Sequence, residues 1–160
     1  MRRIALILLS LATCSATAQV ALTVAAQSHE QATAFYTARG FSTAAISPYA
    51  QACVLSFRFS NDGTTALRFR LADWRAGNGV HFRALTDWEA TWEKGGIPQA
   101  ARIAFRWAQF PPEQEFEAGD WIMGMAALEQ RIAGPFRVTA RYSDDKGEHE
   151  IVSDAVACGD

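Results

Sequence analysis

Lysine is nearly absent from this chain. Of its 15 basic residues only Lys94 and Lys146 are lysine, and the other 13 are arginine. Either cation would serve for solubility alone, whereas arginine is favoured where planar, two-pronged contact with an anion matters. Charge of one sign is also lacking. The formal net charge of -2 excludes the basic excess of a dedicated nucleic-acid binder. Three cysteines are too few for a disulfide-dense mini-scaffold. There is no collagen-like glycine period, and 49% hydrophobic residues with 20% charged ones exclude a disordered chain.

Several chemistry-bearing motifs are missing too. His29, His81 and His149 are isolated in sequence, with no H-x-H, H-E-x-x-H or C-x-x-C arrangement to hold a metal. No G-x-S-x-G elbow and no phosphate-cradling glycine loop occurs. The expectation is a protein without enzymatic activity or a bound cofactor. Glu113, Glu115 and Glu117 alternate, but Pro112 and Gly119 flank them, and they read as a solvated loop.

What is present starts with a leader. Residues 1–18 read as a signal peptide: Arg2 and Arg3, an apolar run from Ile4 to Ala12, then Ala16-Thr17-Ala18 as a cleavage site. The run is well short of the roughly 20 residues a membrane-spanning helix needs, and no second one follows. A periplasmic or secreted protein with no transmembrane segment after processing is expected. The alternative is lipid anchoring through Cys14, since Leu11-Ala12-Thr13-Cys14 resembles a bacterial lipoprotein cleavage site. Removing Arg2 and Arg3 leaves 13 basic and 17 acidic residues, a net of -4. Cys53 and Cys158 then remain, and in an oxidising compartment they are expected to pair.

Residues 19–160 read as one domain. Val20, Leu22 and Val24 alternate as a first strand. Ser28 and Gln31 make a capping box ahead of alanine-rich helix formers, with Gly40 as a stop. Ser47-Pro48 opens a second turn. Short helices near 29–38 and 47–52 are therefore expected, within a helical segment at 28–52. From Cys53 onward the period is two. Strands are predicted around 53–60, 67–71, 80–84, 102–107, 122–128, 136–142 and 148–157, with turn signals between them. This pattern predicts an all-β fold, an immunoglobulin-like antiparallel β-sandwich with a short helical N-terminal segment.

On those strands the arginines keep the polar phase: Arg58, Arg68, Arg70, Arg83, Arg102, Arg106, Arg137 and Arg141. If the strands are neighbours, one sheet face carries a guanidinium ladder suited to carboxylate, phosphate or sulfate; the alternative is that acids of turns and edge strands, such as Glu115, Glu117 or Glu150, fold over and pair with it. The expected function is an exported binding or accessory protein of the bacterial envelope. Its expected partner is an anionic glycan, lipid or protein, and not nucleic acid. The alternative is a periplasmic copper-binding protein using Met123, Met125 and a histidine.

Three tryptophans follow an aspartate, in Asp73-Trp74, Asp87-Trp88 and Asp120-Trp121, and read as rings folded back onto the core. Trp88 and Trp92 are the best candidates for an exposed aromatic platform. Phe35-Tyr36-Thr37-Ala38-Arg39-Gly40-Phe41 resembles the F-Y-x-x-x-G-F segment of glyoxalase-type metalloproteins. The histidine and glutamate ligands of that family do not follow, so Phe35, Tyr36 and Phe41 are read as pinning the helical segment to the rest.

Overall fold

The computed structural model describes residues 20–160. The leader and Cys14 lie outside the described residues. The all-β expectation is overturned, because the described residues form a mixed α/β fold with four helices and two antiparallel sheets.

The first sheet joins β1 (Val20–Ala26), β2 (Val54–Asn61) and β6 (Trp121–Ala127) in the order β1-β2-β6. The second contains β3 (Leu67–Arg70), β4 (Arg75–Ala76), β5 (Glu113–Phe116), β7 (Val138–Asp144) and β8 (Gly147–Val152). A 3-10 turn at Leu71–Asp73 interrupts the path from β3 to β4, and both pieces pair with β7. Across this sheet the strands therefore run β5, then β3 and β4, then β7, then β8.

The sheets pack face to face through alternate residues, as a period of two requires. Leu55, Phe57 and Phe59 of β2 meet Leu67, Phe69, Val138 and Ala140 of the second sheet, with Trp74, Phe110 and Phe116 filling between. The expected disulfide is present. Cys53 and Cys158 are bonded with their Cα atoms 5.1 Å apart, tying the start of β2 to the end of the chain. That end is tightly tucked in. A Cβ on Gly159 would lie 2.4 Å from the Gln27 carbonyl oxygen, a distance only glycine tolerates.

The helices α1 (His29–Thr37), α2 (Thr43–Ala50), α3 (Leu85–Lys94) and α4 (Gln99–Ala108) form a second cluster. They cover one end of the first sheet's other face, where Val54, Met125 and Ala127 point. The capping box of α1 is as expected, with the Ser28 hydroxyl accepting from the Gln31 N–H and the Gln31 side chain accepting from the Ser28 N–H. The second helix starts earlier than expected, capped by Ser42, and Pro48 falls inside it.

The larger correction is the second helix pair. The alternation of Ile103, Phe105 and Trp107 predicted a strand. In the structure Phe105 is fully buried while Ile103 and Trp107 are 45% and 84% exposed, which places them on opposite sides of a helix. Ala101 and Phe105 supply the buried stripe instead, at the helical spacing of four. Similarly Trp88 and Trp92, one turn apart, are each 2% exposed and belong to the core, not to a surface platform. The predicted strand at 80–84 shrinks to isolated bridges at Val80 and Phe82. Glu113 and Glu115, expected in a loop, lie on the short strand β5 at the sheet edge.

After α4 the chain runs beside β6, where Gln109 bridges Met125 in parallel and the Phe110 N–H donates to the Met125 carbonyl at 2.8 Å. Gly124 permits this crossing, since a Cβ there would lie 2.5 Å from the Phe110 nitrogen. Among the described residues no helix is long and apolar enough to cross a membrane.

Candidate functional site

The outward face of the second sheet gathers charge by strand register alone. Arg68 on β3 lies between Glu115 on β5 and Ser143 on β7, and Ser143 lies opposite Glu148 on β8. In the next row Arg70 is opposite Glu113, and Arg141 is opposite Glu150. Inner strands thus carry guanidiniums and outer strands carry glutamates. A groove of about 640 Å³ runs over this face, lined by Arg68, Arg70 and Arg141 together with Glu113, Glu115 and Glu148.

The three arginines differ in how far they are committed. Arg141 Nε donates to Glu150 Oε1 at 2.7 Å, and Arg70 Nε donates to Asp73 Oδ2 at 2.9 Å. Both pairs are exposed, and such surface pairs each hold with only about 0–1 kcal/mol. Arg68 is exposed, and among the described residues its side chain has no ion-pair or hydrogen-bond partner. At one end of the groove the β7–β8 hairpin is stiffened by His149 Nε2 against Asp144 Oδ1 at 2.7 Å, with the imidazole stacked on Tyr142. The hydrogen bond from His149 holds the Asp144 carboxyl below its usual range. Burial, helped by the nearby Asp144 charge, raises the Tyr142 hydroxyl.

Only three of the eight predicted arginines share this face. Arg58 is on the outer side of the first sheet, its guanidinium 4.1 Å over the Trp121 ring. Arg83 precedes α3 and sits 4.0 Å over Trp88. Arg102 and Arg106 project from α4, where they meet Glu93 at 3.8 Å and Glu89 respectively. Their polar phase was read on a strand that is in fact a helix. Arg137 lies just before β7 and donates to the Ser153 carbonyl at 2.8 Å. The single ladder therefore becomes a cluster of three with five scattered members.

Acids beside the arginines were one of the two expectations from sequence, and the register supplies them from β5 and β8. Glu113 and Glu115 were read as loop residues, and nothing local shows which strand they pair with. The methionines of the copper alternative share one face of β6 but differ in burial. Met125 is packed in the helical core while Met123 is 60% exposed. Among the described residues no cluster of three or more histidine, cysteine or acidic side chains is placed to hold a metal ion.

No protein-family model matches the chain, and no curated protein matches it in sequence. The chain is similar in structure to a FixG-related protein from Vibrio parahaemolyticus, with a TM-score of 0.40 and 10% sequence identity, over 88% of this chain and 97% of that one.

Proposed function

We propose that the chain is an exported, non-enzymatic binding protein of the bacterial envelope, and that its groove on the second sheet takes a protein segment of mixed charge. The observation that carries this reading is Arg68. An exposed guanidinium without a partner, set between two rows of carboxylates, is a fork ready for one incoming carboxylate. The walls decide which partner fits. Glu113, Glu115 and Glu148 repel a continuous polyanion such as an acidic glycan. They favour a strand in which an acidic side chain meets Arg68 and basic ones on either side meet the glutamates. Export is supported by the leader-like sequence of residues 1–18 and by the Cys53–Cys158 bond, which persists in oxidising compartments.

The test uses the oxidised protein and three probes: an extended peptide of Asp-Ser-Lys-Ser repeats, which sets Asp and Lys alternately along one face, an all-Asp peptide, and lipopolysaccharide. The alternating peptide is expected to bind best. Its affinity should fall as salt rises, because exposed charges are screened beyond about 8 Å at physiological ionic strength. Arg68→Gln should weaken it with no change in thermal stability. Equal binding of Arg68→Gln and the parent, or tighter binding of the all-Asp peptide or lipopolysaccharide, overturns the reading.

A further inference from the structure

Three segments far apart in sequence enclose a hollow of about 250 Å³: the end of α2, the entry to α3 and the stretch that follows β6. Backbone hydrogen bonds fix them together. The Leu128 N–H donates to the Cys53 carbonyl and the Glu129 N–H to the His81 carbonyl, each at 3.0 Å. Arg83, Glu129 and Arg131 therefore line one hollow, with the side chains of Gln51 and Gln130 beside them.

The three charges are held in different ways. Arg131 is clamped by two carbonyls, its guanidinium donating to Gln51 at 3.2 Å and to Gly159 at 2.8 Å. The Arg83 guanidinium lies 4.0 Å over the Trp88 ring, which also lines the hollow. A ring engages the face of a guanidinium and leaves its N–H edge for a carboxylate. Glu129 is exposed. Among the described residues none of the three forms an ion pair, although cations and an anion line the same space. Charges of opposite sign that share a hollow without meeting leave their complement to a ligand. Glu129 disfavours a plain anion, and the two guanidiniums disfavour a cation. A small zwitterion answers both signs. At about 30 Å³ for a water-sized group, the space holds roughly eight such groups, the scale of one small amino acid.

We propose that this hollow binds a free amino acid with a small polar side chain, its carboxylate on Arg83 and its ammonium on Glu129. Arg131 adds positive charge on the carboxylate side, and the amides of Gln51 and Gln130 supply partners for a side-chain hydroxyl. The site shares no residue with the groove on the second sheet and does not depend on the function proposed for it.

Calorimetric titration of the oxidised protein with L-serine tests the assignment. N-acetyl-L-serine, which lacks the ammonium, and L-serinamide, which lacks the carboxylate, are the comparison probes. L-serine should bind saturably at one site, and each blocked form at least tenfold more weakly. Arg83→Gln should reduce L-serine affinity at least tenfold. Glu129→Gln, at an exposed position, should do the same without weakening N-acetyl-L-serine, so the assignment stays testable if the first variant disturbs the packing on Trp88. Arg68→Gln should bind L-serine like the parent. No saturable L-serine binding overturns the proposal. So does either blocked form binding as tightly as L-serine, or full L-serine affinity in a folded Arg83→Gln or in Glu129→Gln.

Discussion

The molecule has two aromatic cores, and they are built differently. Between the sheets, Phe57, Phe59, Phe69 and Phe110 surround Trp74, with Phe116 packed behind on Phe59 and Phe69, and the one indole N–H among these rings donates to the Arg141 carbonyl at 2.9 Å. Among the helices, Tyr36, Tyr49, Trp88, Trp92 and Phe105 pack largely edge to face, with Trp88 and Trp92 stacked on each other, and the interior is far more polar. Tyr49 Oη donates to Gln109 Oε1 at 3.1 Å, and Gln109 Nε2 donates to Tyr36 Oη at 2.6 Å. The indole nitrogens of Trp88 and Trp92 are buried, with no hydrogen-bond partner among the described residues. The sheet core relies on packing and backbone ladders. The helical core relies on a buried polar network, part of which is unsatisfied, and that is a costly condition in a low-dielectric interior. Gln109 connects the two, since its backbone bridges β6 while its side chain serves the helices.

The largest expected effect lies on the sheet side. The disulfide closes a sequence separation of 105 residues. In the chain-entropy account a loop of that length contributes about 4–5 kcal/mol. The double variant Cys53→Ala/Cys158→Ala should lose about that much in urea denaturation, read from the midpoint at constant slope. Amide exchange should then accelerate first around Gln27, His29 and Gly159, where the chain end is held, and last within α3 and α4. Equal acceleration throughout would show that the two cores unfold as one unit and would remove the distinction.

How much of this was legible beforehand follows the same division. The strands β3 and β7 show a period of two because one side of each faces the sheet core and the other faces water or glutamates, and β2 shows it although its outer side is partly covered by the helices at Val54. Leu67, Arg68, Phe69 and Arg70 read correctly for that reason. The disulfide followed from cysteine count and leader. α4 was misread because Arg102, Phe105 and Arg106 satisfy both periods over so short a run. Only the burial of Ala101 with Phe105 separates them, and an alanine carries little weight in a hydrophobic pattern. Trp88 and Trp92 are one turn apart, but Glu89 and Glu93 beside them suggested a surface. The groove was half legible. Strand phase put Arg68 and Arg70 outward, whereas which strands stand beside β3 is long-range information that local sequence does not hold.

The second effect belongs to the helical core and appears with pH. Burial pushes the hydroxyls of Tyr36 and Tyr49 well above the ordinary value of 10, and for Tyr36 the neighbouring Tyr49 adds to the effect. A folded-state value above the unfolded one means that, above about pH 10, the unfolded chain has released protons the folded chain still holds. Stability is therefore complete below pH 10 and falls as pH rises. Two such groups give a limiting slope of about 2.7 kcal/mol per pH unit, twice the 1.36 kcal/mol that one unit represents. Tyrosinate absorbance should appear together with the loss of helical circular dichroism. Smooth ionisation of all three tyrosines in a protein that stays folded would show the helical core to be open to water.

The smallest effect compares the cores most directly, using the same substitution in each. Trp74→Phe and Trp92→Phe both remove an indole from a site that is at most 2% exposed, so each leaves a cavity of similar origin. What differs is the nitrogen. Removing Trp74 Nε1 strips the Arg141 carbonyl of its donor, and a buried group left unsatisfied costs about 1–3 kcal/mol. Removing Trp92 Nε1 deletes an N–H that already lacks a partner, which relieves a penalty of the same order. Because the cavity contributions largely cancel in the comparison, Trp74→Phe should be the more destabilising of the two by about 1–3 kcal/mol. Denaturation midpoints of the two variants at equal slope give that difference. A Trp92→Phe variant that loses as much as Trp74→Phe would mean that its indole nitrogen has a partner in solution, a buried water being the simplest, and that the helical core is as fully satisfied as the core between the sheets.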